Sequence, residues 1–136
     1  FNMKLPFRTK DSYKQRRMKF LNDMVKFYSE DVLRRSKSED GDWCCYLAYN
    51  GNKCAIGRWI PKEKYISSVE RNGVNAFVLS ILPKEIANLD KCFLQDVQFL
   101  HDTNSNWTKF GLSVEGHAEM KDIKRKIKAN VYINGK

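Results

Sequence analysis

The stretch WCCYLAYNGNKCAIGRWI, Trp43 to Ile60, decides how the rest of the chain is read. Two apolar, strand-like runs flank an Asn-Gly pair, and Asn-Gly suits a two-residue hairpin turn because both central positions need positive φ. With Asn50 and Gly51 as the turn, Leu47 faces Cys54, Cys45 faces Ile56 and Trp43 faces Arg58. Alternation then collects Leu47, Cys54, Cys45 and Ile56 on one apolar face, with Trp43 and Arg58 at its open end. Cys54 is expected to be buried. Pro61 closes the second strand, since proline has no amide to give to a ladder.

Upstream, Ser12-Tyr13-Lys14-Gln15 fits the capping box that starts a helix. Met18, Leu21, Val25, Tyr28 and Val32, flanked by Phe20, Met24 and Phe27, form one apolar stripe at helical spacing. Arg34, Arg35 and Lys37 suit the negative end of that helix dipole. Ser36 to Asp42 reads as a polar loop.

Downstream, Pro61 to Asn72 reads as a loop with a turn of helix, and Val74 to Leu82 as an apolar segment. Pro83 begins a new helix or kinks the old one. Glu85 to Asp102 carries Ile86, Leu89, Phe93, Leu94, Val97 and Leu100 on one stripe, a core helix. Trp107, Phe110, Val114 and Ala118 continue at helical spacing, although Gly111 and Gly116 weaken an unbroken helix. Met120 to Ala129 is a basic helix around Ile123 and Ile127. The fold class expected is α+β: a mainly helical single domain over residues 3–136, with one hairpin at about Trp43–Ile60 packed on three to four helices.

A chain of 136 residues is one ordinary domain in size. No apolar run approaches the length that spans a bilayer, and no export signal is evident, so a cytoplasmic, non-membrane protein is expected. Phe1 and Asn2 stand ahead of Met3, which reads as the natural start. The net charge of +9 favours an anionic partner, whether nucleic acid, a nucleotide-like ligand or an acidic protein. Oligomeric state is not legible.

Candidate contacts to nucleic acid or another anion are Arg16, Arg17, Arg34, Arg35, Lys124 and Arg125, drawn from three basic clusters. Arg58, Trp59, Trp43 and Lys53 form an aromatic-basic group suited to a small anionic ligand through stacking and cation–π contact. A cysteine-dependent enzyme is the alternative, with Cys54 as nucleophile, His101 as base and Asp102 orienting it. An apolar site raises a thiol's pKa and argues against that alternative. No metal-ligand pair at zinc spacing and no phosphate-binding glycine loop is present, so no metal or cofactor is expected. The four cysteines read as reduced thiols.

The order KCAIGRWIP, a tyrosine at Tyr65, LQDVQFLHD and Trp107 resembles a pattern of small bacteriophage and prophage proteins, K-C-A-[IV]-G-x-x-I-P followed by Q-x-x-H-D and a tryptophan. The resemblance covers roughly Trp43 to Phe110. The matching positions are Lys53, Cys54, Ala55, Ile56, Gly57, Ile60, Pro61, Gln98, His101, Asp102 and Trp107. It implies a non-enzymatic accessory protein of a phage or integrated element, working in the bacterial cytoplasm by binding. His101-Asp102 is read either as functional or as a hydrogen-bonded structural clasp, with the clasp favoured because buried polar groups need partners.

Overall fold

The computed structural model describes residues 4–39 and 44–132. Among these, five α-helices surround one apolar core: α1 (Tyr13–Glu30), α2 (Ala76–Ile81), α3 (Lys84–Ala87), α4 (Lys91–Asp102) and α5 (Val114–Lys128). One antiparallel hairpin, β1 (Trp107–Thr108) and β2 (Gly111–Leu112), joins α4 to α5. The mainly helical α+β class holds.

The capping box starts α1 as read from sequence. Ser12 Oγ accepts from the Gln15 amide at 3.2 Å, and the Ser12 amide donates to Gln15 Oε1 at 2.8 Å. The apolar stripe buries Phe20, Leu21, Met24 and Tyr28. Phe20 meets Trp59 and Phe93 at centroid separations of 5.9 and 6.0 Å, which ties α1 to α4 and to the 54–60 segment. α5 closes the core with Ile123 and Ile127. Its first turn lies so near the preceding chain that a Cβ on Gly116 would fall 2.1 Å from the Asn106 carbonyl oxygen.

The strands are not where the sequence places them. Between Leu47 and Lys53 there is a single antiparallel bridge. The Gly51 amide donates to the Ala48 carbonyl and Gly51 takes φ +89°, so Tyr49, Asn50 and Gly51 form a three-residue loop with glycine in the left-handed position. The longer loop shifts the register by one, and Leu47 faces Lys53 instead of Cys54. Pairing stops there because the chain winds into a 3₁₀ turn over Gly57–Trp59. Ile56 accordingly donates its amide to Gln98 Oε1 at 3.1 Å, outside any ladder.

Two further expectations change. The core helix read over Glu85–Asp102 is broken at Asp90, which adopts φ +93° and caps α4 by accepting from the Cys92 amide at 2.7 Å. Buried Arg17 fixes this break by donating to the Leu89 carbonyl at 2.8 Å. The helix read from Trp107 through Val114 is replaced by the hairpin: Gly111 has φ +118°, Phe110 is exposed at the tip, and α5 begins only at Val114, capped by Ser113.

Candidate functional site

The chain from Tyr46 to Ile60 separates two environments. Inside it, Cys54, Ala55 and Ile56 have no exposed surface. Gly57 is pressed against the Tyr46 backbone, where a Cβ would lie 2.0 Å from the carbonyl oxygen. Gln98 organises this interior, accepting from the Ile56 amide and donating to Asp102 Oδ1 at 2.7 Å. The same Asp102 oxygen lies 2.7 Å from His101 Nδ1. Gln98, His101 and Asp102 thus form one hydrogen-bonded cluster that reaches the Ile56 amide through Gln98.

Cys54 and His101 are both sealed from solvent. Burial pushes the Cys54 thiol above its ordinary pKa, so the thiolate that attack requires is disfavoured. Burial also lowers the pKa of His101, against the opposing pull of Asp102. The imidazole is held neutral. It packs on Tyr28 edge to face with a centroid separation of 4.6 Å. Cys54 and His101 are therefore interior groups with no surface for a substrate to reach the thiol, whereas Asp102 is partly exposed.

Outside the same chain, three depressions lie in series. The first, of about 460 Å³, runs between the Val32–Ser38 segment, the Tyr49–Asn52 loop and Thr108–Lys109, and carries Arg35, Lys37 and Lys109. Asn52 joins it to a second, of about 160 Å³, formed by Phe27, Arg34, Gly51, Lys53 and Arg58. Lys53 in turn joins that to a third, of about 390 Å³, between Tyr46, Ile60 and Tyr65 with Lys62 at its edge. Among the described residues, seven lysines and arginines line the three, and no aspartate or glutamate does.

Local bonds fix this track. Asn52 Nδ2 donates to the Leu33 and Arg35 carbonyls at 2.6 and 3.2 Å, fastening the turn to the end of α1. The Arg58 guanidinium lies 3.9 Å from the Phe27 ring centroid and is steadied by Asp23 at 3.1 Å. Arg34 lies 4.5 Å from the same ring centroid and donates to the Phe27 carbonyl and to Glu30. Each of the two guanidinium groups on this ring is thus paired with one carboxylate and keeps further hydrogen-bonding edges. Tyr49 is 70% exposed beside the first depression, as an aromatic surface for stacking requires.

The structure thus gathers Lys53, Arg58 and Arg34, three of the residues singled out from sequence, and separates the others. Trp59 is buried against Phe20 and offers no ligand face. Trp43 lies outside the described residues. Arg17 and Arg35 are buried and committed to backbone carbonyls of Leu89 and His101, although Arg35 also forms part of the first depression's wall. Arg16 is spent on the Asp11 and Thr9 carbonyls and on the Tyr13 ring. Lys124 and Arg125 belong to a separate depression along α5, where Arg125 pairs with Asp122.

Sequence reasoning missed Lys37, Lys62 and Lys109 as members of the track. Lys37 sits in a recognised basic cluster, but no spacing rule brings three remote lysines to one surface. Comparison of the chain with family models, curated proteins and solved structures finds no match.

Proposed function

We propose that this is a non-enzymatic binding protein, an accessory protein of a phage or integrated element, that holds single-stranded nucleic acid along the track from Lys109 to Lys62. The observation that carries the reading is the lining itself: among the described residues, three joined depressions carry seven cations and no carboxylate. Lysines and arginines take the phosphates, Tyr49 stacks on a base, and Asn50 and Asn104 present amides to base edges.

The test is fluorescence anisotropy with random-sequence single-stranded RNA and DNA over a salt series. Each phosphate neutralised contributes a slope of about −0.7 in log affinity against log salt. Lys37→Glu/Lys53→Glu/Lys109→Glu is expected to abolish binding, while Lys121→Glu/Lys124→Glu on α5 leaves most of it. No binding at low salt, or equal loss from both variants, would overturn the reading.

A second reading, an acidic protein partner, is favoured by Leu33 and Phe110, which are 81% and 84% exposed beside the track. Capture from a bacterial lysate with and without nuclease separates the two, because only a protein partner survives the nuclease.

A further inference from the structure

Beneath the track, Cys44, His101 and Asp102 each offer one ligand atom, and the three atoms lie within 4.8 Å of one another. We propose that they form a site for a zinc-type divalent transition metal with one coordination position open to solvent. Thiolate, imidazole and carboxylate together are a donor set suited to such an ion, and three protein ligands leave a fourth position for water or an anion. That position has room: Cys44 and Asp102 line a cavity of about 310 Å³, shared with Gln98, Tyr46, Arg71 and Asn72.

The ligands are already held. Gln98 Nε2 donates to Asp102 Oδ1, Arg35 Nε donates to the His101 carbonyl at 2.9 Å, and Cys44 Sγ lies 3.6 Å from the Asp102 carbonyl oxygen. Such outer bonds orient metal ligands. His101 is fully buried and turns Nδ1 toward Asp102 Oδ1 at 2.7 Å, so an ion would enter between these two atoms, with the ring proton then carried on Nε2.

The balance of charge and protons is simple. The metal replaces the proton of the Cys44 thiol, breaking S–H and forming S–metal, and that proton leaves to solvent. The imidazole binds neutral, and thiolate plus carboxylate offset the two positive charges of the ion. One proton released per ion makes affinity fall about tenfold for each unit decrease in pH.

The experiment is anaerobic titration of the reduced full chain with Co²⁺. The expected result is a one-to-one sulfur-to-cobalt charge-transfer band with the visible bands of tetrahedral geometry. Cys44→Ser should lose the charge-transfer band and Asp102→Asn should weaken binding at least tenfold, while Cys45→Ser and Cys92→Ser keep both. In parallel, Zn²⁺ should slow alkylation of Cys44, read by mass spectrometry on the unaltered protein, which needs no variant to fold. Absence of a charge-transfer band in the folded wild type, its survival in Cys44→Ser, or unchanged alkylation with Zn²⁺ would overturn the proposal.

Discussion

The segment Lys53–Ile60 has an inside and an outside that do different work. Cys54, Ala55, Ile56, Gly57 and Trp59 are buried, whereas Lys53 is exposed and Arg58 only partly covered. The inner residues are constrained by shape, because the chain approaches the Tyr46 backbone and the Gln98 amide too closely for substitution. The outer two face the depressions, with Arg58 held between the Phe27 ring and Asp23. Mutation should separate the two sides: inner changes are expected to act on stability and outer changes, under the proposed function, on binding.

Gly57→Ala should have the largest effect, a loss of at least about 3 kcal/mol measured by urea denaturation, because the added methyl meets fixed backbone. Normal stability in that variant would break the division. Gln98→Leu comes next, at about 1–3 kcal/mol, since it strands the Ile56 amide.

A smaller loss is expected on acidification. His101 has a folded-state pKa below its ordinary value of 6.5, so below about pH 6.5 the unfolded chain binds a proton that the folded one resists. The stabilisation is present above that pH and lost as pH falls toward the folded value. A denaturation series against pH checks this, with exposed His117→Gln expected to keep the dependence.

Arg58→Ala should cost no more than about 1 kcal/mol, because its pair with Asp23 is partly exposed. It should nevertheless flatten the salt dependence of binding by about one phosphate's worth. Arg125→Ala is expected to leave stability within about 0.5 kcal/mol and binding unaltered.

Much of this was legible in the residues. The burial of Cys54 was expected from a strand pairing with Leu47 that the structure replaces, whereas the capping box at Ser12 and the stripe of α4 follow from local chemistry and periodicity. The hairpin did not, because strands of two residues are too short for an alternation to show, and Trp107 and Phe110 happen to fall at helical spacing. The break at Asp90 is set by Arg17, a residue far upstream. The candidate metal ligands were hidden for a similar reason: Cys44 and Asp102 are 58 positions apart, beyond any ligand-spacing pattern. Lys53 and Arg58, singled out from sequence, do line one depression, although the register used to place them was off by one.

The indole of Trp107 forms part of the wall of the first depression, whereas Trp59 is buried against Phe20. Trp107 is therefore a built-in optical reporter for the proposed binding. A change of emission on titration with oligonucleotides should be lost in Trp107→Phe and kept in Trp59→Phe.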